Sequence, residues 1–356
     1  MKSVVELFCD MVRIDSESGN ETAFVEYASE LLEEELGADC ELDAYGNLIA
    51  HVRGLESDAE AVALCAHADT VKPGIGIEPV VENGVVRSAG ETILAADDKA
   101  GLAEIIEGAR TATRRPPVDV IVTLGEEVGL LGAKSLDIDK VRAKMAFVSD
   151  GEHLNEVIIG GPTHITLNIT VTGRAAHAGM EPEKGLSAIR VAAEAITKMP
   201  EGRIDHETTA NIGIIEGGMI RNGVPETCTL KAECRSLDHQ KALAQSKAMR
   251  EAFERAAAES GATVEIDETV AYEARAISED APVVQAAIAA VRSVGLEPIA
   301  KTITGGTDAL ILCNRGIDAV VLGTGIQGAH STDEQITVAD LETASTIVRN
   351  LLESLA

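Results

Sequence analysis

The chain has 356 residues, 45% of them hydrophobic, but only 2% aromatic and no Trp, so an ample core has to be built from Ala, Val, Ile and Leu. That length exceeds one typical domain and predicts two. With 30 Lys and Arg against 59 Asp and Glu the formal net charge is −29, which excludes nucleic acid and anionic membranes as partners because both carry the same sign.

In chain order, the amino terminus interrupts its apolar residues with Glu6 and Asp10 and reads as an amphipathic helix, not a signal peptide. Leu64 to Ala66 ends an apolar run, and Val118 to Leu124, Met145 to Val148 and Ala319 to Leu322 are three more. Each reads as a buried strand of a parallel sheet. A helix is predicted from Lys99 to about Arg114, with Leu102, Ile105, Ile106 and Ala109 on one face. After Pro162 the pattern changes: Ile165, Leu167, Ile169 and Val171 alternate with polar residues, as in strands with one wet face. A helix from about Leu186 to Met199, strands near Ala210 to Ile215 and Thr227 to Arg235, a helix from about Asp238 to Ser260 and a strand near Thr263 to Val270 follow. Two helices on one face of a mixed or antiparallel sheet satisfy that pattern. From about Pro282 helix and strand alternate again.

The expected fold class is therefore α/β. A discontinuous domain (residues 1–162 and 273–356) carries a mostly parallel sheet flanked by helices, and an α+β two-layer lid (residues 163–272) is inserted into it. Six cysteines without a CxxC pair sit mostly in apolar runs, so they are expected to be reduced and buried in a cytoplasmic protein. No run approaches the roughly 18 apolar residues of a membrane span.

Two histidines and several carboxylates occupy small Gly- and Ala-rich contexts: AHADT (His67, Asp69), AADDKAG (Asp97, Asp98), GEEVG (Glu126, Glu127), VSDG (Asp150) and GAHSTDE (His330). Each apolar run is followed within a few residues by one or two of them. In open α/β sheets the functional crevice lies outside the carboxyl ends of the strands, so these groups are expected to converge. Asp97, Glu127 and Asp150 packed together would repel one another and gain proton affinity; two divalent ions remove that conflict. Oxygen and imidazole donors suit zinc, with cobalt or manganese acceptable. Read singly, Glu126 and Glu127 also fit a solvated loop, and Asp98 fits a pair with Lys99; Asp98 stays outside the ligand set.

Together, and in this order from about residue 60 to about residue 335, these motifs resemble those of the co-catalytic dinuclear zinc exopeptidase family that contains peptidase T, glutamate carboxypeptidase, acetylornithine deacetylase and succinyl-diaminopimelate desuccinylase. The resemblance implies that Asp97 bridges two Zn2+ ions, that His67 and Asp150 complete one, and that Glu127 and His330 complete the other. It implies that Asp69 orients the His67 ring and that Glu126 is the general base for a hydroxide bridging the ions. It further implies a homodimer through the lid. His177, in TGRAAHAGMEP, would stabilise the oxyanion at a neighbouring subunit's site, while Arg235 would hold a substrate carboxylate and Asn211 the bound backbone. Arg235 also fits plain surface charge on the polar face of its strand.

Gly305 and Gly306 in ITGGTDALIL lead into a helix whose exposed N–H groups suit a carboxylate or carbonyl; simple capping by Thr307 or Asp308 explains them too. Asp150, where many carboxypeptidase and deacylase relatives carry Glu, together with AADDKAG and GGTDA, points to the peptidase T-like aminopeptidases and short peptide substrates. Against that stands a chain more compact than peptidase T. An N-acyl amino acid deacylase or desuccinylase is the second reading, and a metal-loaded, non-catalytic dimeric binding or scaffold protein the third.

Overall fold

The computed structural model describes residues 2–356. The chain divides into two compact units, one through Gly160 with Ala276–Thr302 and Gly306–Ala356, the other Gly161–Arg275 with Ile303–Gly305.

In the first unit all four apolar runs are strands: Val62–His67, Val118–Thr123, Met145–Gly151 and Asp318–Gly323. They lie side by side in the order 118–123, 62–67, 145–151, 318–323, and every pairing among them is parallel. The 62–67 and 118–123 strands are buried along their whole length, the condition that removes polar alternation from their sequences. The sheet turns mixed beyond this core. Leu48–Val52 joins strand 118–123 antiparallel and carries Asp39–Leu42 on its far side, while Glu156–Gly161 pairs antiparallel with 318–323. Burial, which the sequence encodes, does not reveal strand direction.

The helix Ala96–Thr111 packs on strands 62–67 and 145–151, and against the helices Val4–Val12 and Val338–Leu355. It begins three residues before the predicted Lys99, but Asp97 and Asp98 have non-helical dihedrals, and the peptide bond between them is cis. It stops at Thr111 because Ala112 is extended. Gly101 permits the close approach to the sheet: a Cβ there would lie 2.1 Å from the Ser149 carbonyl oxygen and 2.2 Å from Asp98 Oδ1. A small antiparallel sheet of Pro79–Glu82, Val85–Ser88 and Gln335–Thr337 stands apart from the main one.

The second unit is a five-stranded antiparallel sheet in the order Gly202–Arg203, Thr208–Gly217, Thr227–Ser236, Thr163–Thr172, Thr263–Tyr272. Ile165, Leu167, Ile169 and Val171 are buried, as are Cys228, Leu230, Ala232 and Cys234. They pack with the helices Ala188–Ile196 and His239–Ser260. The first helix is shorter than predicted at both ends, since Ser187 caps it by accepting from the Arg190 N–H and Thr197 closes it. The second runs from its Asp238 cap to left-handed Gly261.

On the opposite face of this sheet Glu233 accepts from His164 at 2.8 Å and from Arg235 at 3.2 and 3.1 Å. The His164 bond first, then Arg235, outweigh burial and hold the Glu233 carboxyl down at about 2, against an ordinary 4.5. A depressed folded-state pKa contributes stability above pH 4.5 that disappears as pH falls through about 2. Glu233→Gln should therefore unfold more readily than wild type at neutral pH, with the difference closing between those two pH values in urea titrations.

Among the described residues all six cysteines are free, with only Cys40 partly exposed. No helix there is long and apolar enough to cross a membrane.

Candidate metal centre

His67 ends its strand, Asp150 lies near the end of the next one, Glu126 and Glu127 follow the 118–123 strand, and His330 stands in the loop after 318–323. Carboxyl ends of parallel strands thus deliver the groups from distant parts of the chain. His67 Nε2 lies 3.0 Å from Asp97 Oδ1 and 3.8 Å from Asp150 Oδ1. His330 Nε2 lies 3.1 Å from Asp97 Oδ2 and 2.7 Å from Glu127 Oε1. Two clusters result, His67–Asp97–Asp150 and Asp97–Glu127–His330, and Asp97 belongs to both, giving one oxygen to each.

These groups fit a pair of cations better than they fit one another. Glu127 Oε1 is buried and makes no hydrogen bond of acceptable geometry, in spite of its nearness to His330. Donor atoms about 2.0–2.2 Å from a tetrahedral ion are separated by roughly 3.3–3.6 Å; the first cluster brackets that range at 3.0 and 3.8 Å, and the second is drawn closer, at 3.1 and 2.7 Å. The crowding shifts the proton affinities of these groups. Burial, then the Asp97 charge, pushes the Asp150 carboxyl well up. His330 is raised to about 10 by the Asp97 and Glu127 carboxylates beside it. Burial works against a charged His67, but Asp69 and Asp97 overcome it and hold the ring protonated; burial likewise opposes an ionised Asp97, which the two histidines keep anionic. Glu126 is pushed well up by burial, with Asp308, Glu127 and Asp97 adding to the shift against the pull of His67.

Asp69 meets both His67 and the glutamate turn. His67 Nδ1 donates to the Asp69 backbone oxygen at 2.9 Å, while the Asp69 carboxylate is 3.5 Å away. That carboxylate accepts from the Glu126 and Glu127 amides at 2.8 and 3.2 Å and from Ser18 Oγ at 2.7 Å. It therefore holds the glutamate turn as well, while the Asp69 backbone oxygen takes the Nδ1 proton and leaves Nε2 facing the Asp97 and Asp150 carboxylates. Asp98 does not pair with Lys99: its Oδ2 accepts from the His67 N–H at 3.1 Å, while Lys99 Nζ donates to the Ile14 carbonyl at 2.6 Å and lies over the Phe24 ring.

In the second unit His177 is exposed on a two-residue strand, and its Nδ1 accepts from the Gly179 N–H at 3.2 Å. With Nδ1 accepting, the donor position of the ring is Nε2. Arg235 is half-buried and gripped by Glu233. Asn211 is exposed and stands opposite Glu233 across the strand pair. Gly305 and Gly306 precede Thr307, whose Oγ1 caps the helix Asp308–Asn314 by accepting from the Ala309 N–H. A third cluster, Asp205–His206–Glu207, already holds a cation, the Lys241 ammonium.

Residues 159–261 match the peptidase dimerisation domain of the M20 family. Over 368 residues the sequence is 37% identical to the uncharacterized protein YqjE of Bacillus subtilis, covering 100% of this chain and 99% of that one. The structure resembles the PepT aminopeptidase of Bacillus cereus (37% identity, 99% and 98% of the two chains, TM-score 0.88). It also resembles a tripeptidase of Staphylococcus aureus (32% identity, 99% and 97%, TM-score 0.93). The chain belongs to the M20 family of metallopeptidases.

In this M20 peptidase the fold places beside these groups three residues that the sequence alone does not assign there. Ser18 supports Asp69 from a loop 51 positions upstream. Asp308 is buried, with Oδ2 bonded to Thr123 and Oδ1 unpartnered, and burial raises its carboxyl to about 6. Glu334 accepts three backbone N–H bonds from the segment leading to Asp97. It closes the GAHSTDE motif, and that adjacency to His330 was the available clue.

Proposed function

We propose that the protein is an aminopeptidase of the tripeptidase type, cleaving the amino-terminal amide bond of short peptides at a centre of two Zn2+ ions, with Co2+ or Mn2+ able to substitute. The observation that carries this reading is the pair of three-residue clusters that share Asp97. His67 and Asp150 would hold one ion, Glu127 and His330 the other, and Asp97 both. A bound zinc pair polarises a carbonyl and brings the pKa of water to about 7.

The chain's own residues do the rest. Glu126, beside the ligands but not among them, takes a proton from the attacking water and returns it to the leaving amine. Burial raises its proton affinity, which suits a group that must both accept and donate. Asp69 holds the peptide of Glu126 and Glu127 so that base and ligand keep their places. The second unit serves as the lid and makes the homodimer; His177 Nε2–H serves the developing oxyanion of the partner's site. Arg235 exchanges its Glu233 contact for the substrate carboxylate, Asn211 holds the peptide backbone, and the Gly305 and Gly306 amides face a substrate oxygen. The PepT aminopeptidase and the tripeptidase among its relatives support the choice of substrate.

A panel of di- and tripeptides with free amino termini, N-acetyl peptides, and N-acetyl and N-succinyl amino acids tests the reading. Turnover is expected only for the free peptides, with tripeptides foremost. Preference for the acylated amino acids would replace it with a deacylase, and no turnover anywhere would leave a binding protein. Mixing His177→Ala with Glu126→Ala protein should restore part of the activity through hybrid dimers; absence of any recovery would rule out action across the dimer.

A further inference from the structure

We propose that Glu334 is a positioning residue of the metal centre, clamping the segment that carries Asp97 to the loop that carries His330; this rests on the reading of Asp97 and His330 as ligands. Glu334 Oε2 accepts from the Leu94 and Ala95 N–H groups, each at 2.8 Å, and Oε1 accepts from the Asp97 N–H at 3.0 Å. The side chain is 2% exposed and lies four positions after His330.

Neither segment holds its ligand by regular structure. Ala95 is left-handed with φ 58°, Asp97 departs from the helix with ψ 102°, and His330 is left-handed with φ 63°. Non-glycine residues occupy that region only when their surroundings impose it. The Asp97 N–H, in the first turn of the helix, has no carbonyl partner within it, and one carboxylate from the other ligand loop serves it together with the Leu94 and Ala95 amides just ahead of the helix. The next residues, Gln335–Thr337, are fixed as a strand beside Val85–Ser88. Glu334 therefore stands on a firm base and sets the distance between the two sides of the Asp97 bridge.

A carboxylate is required because three donors face two acceptor oxygens. The amide of glutamine has one acceptor; with it turned toward Leu94 and Ala95, its NH2 meets the Asp97 N–H, donor against donor. An unmet buried N–H on the bridging residue would displace the residue whose oxygens both ions share.

The test compares Glu334→Gln and Glu334→Asp with Glu353→Gln, a partly exposed carboxylate that likewise accepts from backbone, at Thr113, away from the site. In metal-free protein, hydrogen exchange at residues 94–97 should quicken in Glu334→Gln and not in Glu353→Gln. Zinc affinity, measured against a chelator, should fall about 10–100-fold, the usual effect of losing a partner behind the ligands. The visible spectrum of the Co2+-loaded protein should change, and kcat should fall with KM nearly constant. Glu334→Asp keeps both oxygens on a shorter stem and should recover part of the affinity. Wild-type zinc affinity and exchange in Glu334→Gln, even with a lower melting temperature, would overturn the proposal and leave the ligand assignment standing. A wild-type protein that binds no metal would overturn both.

Discussion

Glu126→Gln is expected to lower kcat by about 10²–10⁴-fold, the range for loss of a general acid–base group, while metal content and KM stay near wild type. The substitution keeps the shape of the side chain and removes only its basicity. Glu126 contributes no ligand atom to either cluster, so metal analysis should be unmoved, and kcat and kcat/KM should fall together. The pH profile adds a separate sign. A base works only when deprotonated, and burial, followed by the charges of Asp308, Glu127 and Asp97, raises this carboxyl above its ordinary 4.5. Wild-type activity should therefore climb with pH as Glu126 loses its proton, and the residual activity of the variant, measured at saturating metal, should lose that limb. A variant within tenfold of wild type would remove Glu126 from the role.

The parallel core was legible because strands 62–67, 118–123, 145–151 and 318–323 are built on apolar or β-branched runs; His67, Glu127, Asp150 and His330 drew notice as candidate ligands because they follow such runs, whereas Asp97 lies at the kinked start of the helix Ala96–Thr111. What escaped was direction and target. Leu48–Val52 is as buried as the parallel strands yet runs antiparallel, since apolar content records burial alone. The resemblance gave Asp69 the imidazole as its partner, but residue spacing carries no information about Gly125's turn, which brings the Glu126 and Glu127 amides to the same carboxylate. Glu334 reaches partners about 240 positions away, a relation that only the folded chain creates. Arg235 was read from its strand face correctly as a polar-side residue, but its neighbour two places back, Glu233, engages the guanidinium; same-face pairing at that spacing was open to inference.

Asp97→Asn should abolish the shared centre, with a loss of zinc affinity beyond the 10–100-fold that follows removal of a mere supporting partner. Asparagine offers one oxygen where Asp97 presents Oδ1 to the His67 side and Oδ2 to the His330 side, and it brings no charge to offset two dications. At most one ion should remain bound at moderate zinc, and kcat should fall with it. The same charge logic fixes the pH dependence of binding in the wild type. Without metal the Asp150 carboxyl is pushed up by burial and the Asp97 charge, and His330 titrates at about 10; ligation has to expel those protons. Zinc affinity should accordingly rise with pH, and calorimetry in buffers of different ionisation enthalpy should record proton release, smaller in Asp97→Asn. Folding follows the same linkage: at a thousandfold excess of zinc over its Kd, each occupied site adds about 4 kcal/mol to the stability of the wild type. A melting temperature unmoved by zinc in the wild type, or moved equally in Asp97→Asn, would show that the ions do not bind across this carboxylate.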